Sequence, residues 1–275
     1  MSLSLRVEDP PMVRMRSMPR RKSLRVVFET VRELASEVHG LVDHSDPLRP
    51  YNWRFTRAFT GWRLKNLKRF RLRYMHTEGH VVKTQARFIQ DLMSSSDSVR
   101  EVMEIGFNAG HSSYLFLSTR PDVRVVSFDI GDHEYVDLAK RVIDSMFPGR
   151  HQLIRGDSRA SVPTFADENP GRTFDLIYID GGHDYEVAKA DIENCRRLST
   201  GESVVVMDDL DPHVEWGVGP VRAWREAQES GRVRQAFLVR DGVTLSVASP
   251  EEAAMPGSHV WGIGRYLESP RAAGT

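Results

Sequence analysis

The run Val102-Met103-Glu104-Ile105-Gly106-Phe107-Asn108-Ala109-Gly110-His111-Ser112-Ser113 decides how the rest of the chain is read. An apolar stretch with an acid near its end meets Gly106. Gly110 follows, and then Ser112, Ser113 and an apolar segment from Tyr114 to Leu117. That order predicts a strand, a glycine-bearing turn and a helix. Glycine at such a turn permits positive φ and lets a ligand lie against bare backbone. The helix start adds free N–H groups and a dipole that favours a carboxylate or phosphate. Gly106-x-x-x-Gly110 is not the G-x-G-x-x-G dinucleotide fingerprint, so by itself it reads equally well as a plain tight turn.

Downstream the strand–helix alternation repeats. Strands are expected over 101–105, 124–128, 151–155, 174–179 and 203–207, with two later ones over 234–239 and 259–265. Helices are expected over 112–118, 134–146, 185–198 and 221–229. Alternation of this kind predicts an α/β fold, a mostly parallel sheet covered on both faces. Ligands in such sheets bind beyond the carboxyl ends of the strands.

The front of the chain differs in composition. Formal net charge is zero overall, yet residues 1–75 carry ten more basic than acidic groups. Such a segment can meet nucleic acid, an anionic surface or an acidic partner, or can simply be solvated. Residues 1–22, with three prolines and six basic residues, read as a mobile basic arm. Leu24, Val27, Phe28, Val31, Leu34 and Val38 recur at helical spacing after Ser23. Between Tyr51 and Tyr74, seven aromatic residues alternate with arginines and lysines. That run can stack bases, close over a pocket, or pack as helices on the main domain; packing is preferred. The expected division is a basic arm over 1–22, a helical N-terminal extension over 23–80, serving as lid or dimer element, and a catalytic domain over 81–275. Cys195 is the only cysteine, so no intramolecular disulfide can form, which suits a cytoplasmic protein. No stretch approaches the length of a membrane span, and no signal-peptide core follows the first arginines.

All five central strands end in or near an acid: Glu104, Asp129, Asp157, Asp180 and the pair Asp208-Asp209. Asp129, roughly twenty residues past the turn, is placed to accept from ribose hydroxyls, or else to cap the next helix. Asp157 and Ser158 can meet an adenine edge or form an Asx turn. Asp180, Asp208 and Asp209 would repel one another unless a cation sat among them, and oxygen ligands suit Mg²⁺, Mn²⁺ or Ca²⁺. Alternatively Asp209 and Asp211 cap the following helix. His183 lies just past Asp180 in Gly181-Gly182-His183-Asp184-Tyr185, where it can serve as a general base. His111 and His213 are weaker candidates.

Together these residues resemble the class I S-adenosylmethionine-dependent methyltransferases, and among them the metal-dependent O-methyltransferases. Glu104 to Ser113 is similar to that group's E-x-G-x-x-x-G-x-S motif. The resemblance implies a doubly wound, mostly parallel, seven-stranded Rossmann-like sheet with an N-terminal helical extension. It also implies that Glu104, Gly106, Gly110, Ser112, Asp129, Asp157 and Ser158 bind S-adenosylmethionine. Asp180, Asp208 and Asp209 would hold Mg²⁺ or Mn²⁺, and His183 would be the base. The run Asp180 to Tyr185 looks more like the branch that methylates sugar hydroxyls of macrolides and related natural products. The implied partner is a small-molecule hydroxyl acceptor; a homo-oligomer is expected, and a membrane or nucleic acid is not. Competing readings are an RNA methyltransferase, a hydroxylase of related fold, and a protein that holds the cofactor without chemistry. Residues 1–75 match no family motif.

Overall fold

The computed structural model describes residues 46–65, 81–95 and 98–267, with side chains of the first segment described to residue 58. The expected basic arm, the helix after Ser23 and the end of the aromatic run (66–74) lie outside the described residues. The described residues all belong to one compact unit.

Eight strands make one sheet in the order β3-β2-β1-β4-β5-β8-β6-β7. They are β1 (Glu101–Ile105), β2 (Arg124–Asp129), β3 (His151–Arg155), β4 (Leu176–Ile179), β5 (Val204–Met207), β6 (Val233–Arg240), β7 (Val243–Leu245) and β8 (Val260–Tyr266). The first five run parallel. β8 lies antiparallel between β5 and β6, and β7 pairs antiparallel with β6. All four residues of β4 are buried, as are the last four of β1. Such continuous apolar runs belong to strands covered on both faces. Strand order reverses between β1 and β4, and this topological switch places a crevice beyond their carboxyl ends.

One face carries α1 (Arg49–Lys65), α2 (Lys83–Ser94), α3 (His111–Thr119) and α4 (Tyr135–Met146). The other carries α5 (Ser158–Glu168), α6 (Tyr185–Cys195) and α7 (Glu215–Glu229). A short α8 (Pro250–Ala253) is capped by Ser249. α4 shows why these segments become helices: Val136, Ala139, Val142 and Ile143 recur every three or four residues and face the core. Among the described residues no helix is long and apolar enough to cross a membrane.

Four elements depart from the sequence reading, the short α8 among them. α5 was not expected, since Pro163 sits inside it. α7 begins at Glu215 rather than near Val221, through a stretch holding Gly217, Gly219 and Pro220. The eighth strand, β7, turns back on β6 through Asp241-Gly242, both at positive φ (50° and 85°). Two such residues form the tight turn whose twist matches a hairpin.

α6 turns Ala188, Asp191, Ile192 and Cys195 inward. An acid therefore stands in an apolar stripe, fully buried, and burial pushes Asp191 from 3.8 up to about 7. Between about pH 4 and 7 the folded chain keeps a proton that the unfolded chain releases, so stability falls as pH rises through that window. Asp191→Asn keeps the shape and removes the charge. In thermal unfolding it should flatten this fall and gain up to about 4 kcal/mol at pH 8. An unchanged pH slope would show that burial does not hold Asp191 neutral.

Candidate functional site

The glycine turn is built by close approach. Gly106 has φ of 92°, and a Cβ there would lie 1.8 Å from the Asp180 carbonyl oxygen. The ends of β1 and β4 thus meet backbone to backbone, which only glycine permits. Gly110, at φ 76°, closes the turn and stands at the N-cap of α3, where it offers no side chain to the helix N–H groups. Between them the Asn108 N–H donates to Asp129 Oδ2 at 2.7 Å, and Gly131 N–H donates to Oδ1 at 2.7 Å. Asp129 therefore lies against the turn, as expected for an acid ending β2.

Glu104 is fully buried. Its carboxylate accepts from the hydroxyls of Ser112, Ser113 and Ser127. Ser127 also meets His151 Nε2 at 2.9 Å, and the Phe107 ring stacks on His151 at 4.9 Å. Burial raises the Glu104 pKa, and the three hydroxyls oppose that rise. Burial also holds His151 neutral, with its pKa near 3. Glu104 and Ser112, both expected at the cofactor, thus spend side-chain oxygens on each other. Register makes this cluster: Glu104 sits opposite Ser127 on β2 and Tyr178 on β4.

The first turns of α1 cover the turn from outside. Tyr51 is buried, its hydroxyl donating to the Ala109 carbonyl at 2.5 Å. Its ring stacks on Tyr114 and Phe55 and meets His111 edge-on. Trp53 remains exposed with the Arg57 guanidinium over it. At the end of β3, Asp157 caps α5 by accepting the Arg159 N–H at 2.9 Å. The Arg159 guanidinium binds the same carboxylate and holds its pKa down. Ser158 is the first residue of that helix.

The three remaining acids gather past β4 and β5. Asp208 is buried; its Oδ2 accepts from Tyr178 Oη at 2.9 Å and from Gln85 Nε2, and its Oδ1 accepts Asp209 N–H at 2.8 Å. Burial, then the Asp209 charge, pushes Asp208 up to about 7. Burial, then Asp208 and Asp209, holds Asp180 well above the usual carboxylate range. Asp209, at φ 57°, places Oδ2 2.9 Å from His183 Nε2. That bond raises the imidazole pKa. Asp211 accepts the His213 N–H at 2.9 Å and makes a turn before α7 instead of capping it.

Among the described residues, no three His, Cys, Asp or Glu side chains stand as a ready ligand set. Asp208 is engaged by Gln85 and Tyr178, and Asp209 by His183. The chemistry of the donors nevertheless fits a hard divalent cation: three carboxylates meet at one edge, and burial and neighbouring negative charge make Asp180 and Asp208 harder to ionise. Sequence reasoning missed Gln85, Tyr178, Ser127, His151 and Tyr51. Ser127 and Tyr178 were reachable through their register with Glu104; Gln85 lies 123 residues from Asp208 and gave no local signal.

The fold and its switch point are similar to those of known methyltransferase domains. Residues 103–210, less than half of the chain, match the family model described as a methyltransferase domain. The chain is similar to the solved O-methyltransferase from Bacillus cereus in complex with SAH, with 20% identity, 80% of this chain and 94% of that chain covered, and a TM-score of 0.56. It is likewise similar to the O-methyltransferase TomG from Streptomyces achromogenes, involved in tomaymycin synthesis and solved with SAM. There the identity is 18%, the coverage 78% of this chain and 90% of that chain, and the TM-score 0.55. No curated protein matches the chain. The fold is that of the class I S-adenosylmethionine-dependent methyltransferases.

The Glu104 cluster yields a stability test. Glu104→Leu leaves three buried hydroxyls without their shared acceptor. Denaturant unfolding should show a loss on the order of 3 kcal/mol or more, against about 1 for Ser113→Ala. A loss under about 1 kcal/mol for Glu104→Leu would mean that the serines hold α3 in place without it.

Proposed function

We propose that the chain transfers a methyl group from S-adenosylmethionine to a hydroxyl of a small molecule, a sugar or other natural product, aided by a divalent cation and by His183. The observation that carries this reading is the His183–Asp209 contact beside Asp180 and Asp208, across the switch point from the glycine turn. The O-methyltransferase titles of the structural neighbours support it, and TomG's role in tomaymycin synthesis favours a natural-product acceptor.

Bound S-adenosylmethionine supplies an electrophilic methyl group. The chain's task is to hold that group in line with a nucleophile and to remove a proton. The turn from Gly106 to Gly110 presents backbone and helix N–H groups. Each Asp129 oxygen accepts one N–H and keeps a lone pair for a ribose hydroxyl. Asp157 and Ser158 stand on the adenine side. Asp180, Asp208 and Asp209 would hold the cation, which there would lower a hydroxyl pKa of roughly 15 by several units. With Nε2 turned to Asp209, His183 has Nδ1 left to take the acceptor's proton, and Asp209 stabilises the imidazolium that results.

The acceptor's own wall lies on α7. A Cβ on Gly219 would come 2.1 Å from the His183 carbonyl oxygen, so this turn of the helix presses on the loop that carries His183. Trp216 and Val218 of the same turn are exposed and offer apolar surface to a ring face.

Two variants test the reading, with release of S-adenosylhomocysteine measured over a set of sugar and natural-product acceptors. Asp208→Ala should abolish turnover while cofactor binding persists. Lost cofactor binding, with turnover restored by excess cofactor, would overturn the cation assignment. His183→Ala should lower turnover by about two to four orders of magnitude; near-normal turnover would remove it as the base.

A further inference from the structure

We infer that Gln85 is a positioning residue for Asp208: its side-chain amide fixes the carboxylate in the orientation from which it serves a divalent cation. The inference rests on the cation reading above and adds to it a residue from α2.

Gln85 is one of four residues, with Ala86, Ile89 and Met93, that α2 buries. The other three are apolar. Burying an amide among them is costly unless its hydrogen bonds are made, and here they are. Nε2 donates to Tyr178 Oη at 2.8 Å and to Asp208 Oδ2, while Tyr178 Oη donates to the same Oδ2 at 2.9 Å. The three groups form a closed triangle reaching from α2 across β4 to the end of β5. Asp209 N–H secures the other oxygen, Oδ1. Asp208 therefore has little rotational freedom.

The chemical type of these partners matters more than their number. An amide, a phenol and a peptide N–H are all neutral. They orient and solvate the carboxylate but do not cancel its charge, as a lysine or arginine would. The negative charge stays available to a cation. Partners of this kind behind a ligating carboxylate commonly govern metal affinity by about 10- to 100-fold.

The test is titration calorimetry of the full chain with Mn²⁺, and separately with S-adenosylhomocysteine, on wild type, Gln85→Leu, Gln85→Asn and Asp208→Asn. Gln85→Leu should bind Mn²⁺ about 10- to 100-fold more weakly and keep cofactor affinity within about twofold. Gln85→Asn withdraws the amide by one methylene; it should be weakened likewise, and it decides the matter if the leucine variant does not fold. Wild-type Mn²⁺ affinity in folded Gln85 variants, with loss in Asp208→Asn, would overturn the role of Gln85 and leave the cation reading standing. Equal loss of Mn²⁺ and cofactor would reduce Gln85 to a general structural contact and overturn the inference. Absence of Mn²⁺ binding in wild type would overturn both readings.

Discussion

The carboxyl edge of the sheet is held together by main chain packed on main chain. Gly106 abuts the carbonyl of Asp180, Gly217 that of Asp211, and Gly219 that of His183. At none of these points is there room for a Cβ. Strand ends and the first turn of α7 therefore converge more tightly than side chains would allow. The polar residues beside them are forced into a small volume, and the electrostatics of the edge follow from that crowding.

Buried acids meet this constraint in different ways. Glu104 is surrounded by serine hydroxyls and acts as a brace linking β1, α3 and β2. Asp191 stands in an apolar stripe on the far face and stays protonated up to near neutrality. Asp208 lies between these cases: deeply buried, yet supplied with neutral donors on both oxygens. Asp208 combines neutral donors on both oxygens with the repulsion of the adjacent Asp209.

Much of the fold was legible because strand–helix alternation is a local property, and β1, β4 and β5 carry their burial in runs of mostly apolar residues. The acids were legible because they fall at the ends of those runs. What escaped was either locally contradictory or distant in sequence. Pro163 masks α5, and Gly217, Gly219 and Pro220 mask the start of α7, since all three glycine and proline positions disfavour helix in isolation. There, packing against the strand-end loops outweighs propensity. Asp157 shows the limit of reading an acid by position: the same placement serves a helix cap and an Arg159 ion pair. The Asp209–His183 pairing and the reach of Gln85 to Asp208 depend on how loops and helices fold back across the sheet, which no spacing encodes.

The hydroxyl of Tyr51 on the carbonyl of Ala109 ties α1 to the very peptide that precedes Gly110. A Cβ at Gly110 would stand 2.8 Å from that oxygen, so the two have been fitted to each other. Front segments exchanged between related chains to alter acceptor choice would therefore not be interchangeable cassettes. A crossover placed between α1 and β1 would separate Tyr51 from its turn, and one placed just before β1 would separate Gln85 from its carboxylate as well. Recombination that keeps a working edge has its boundary ahead of Asp46, with both helices travelling together with the sheet they cover.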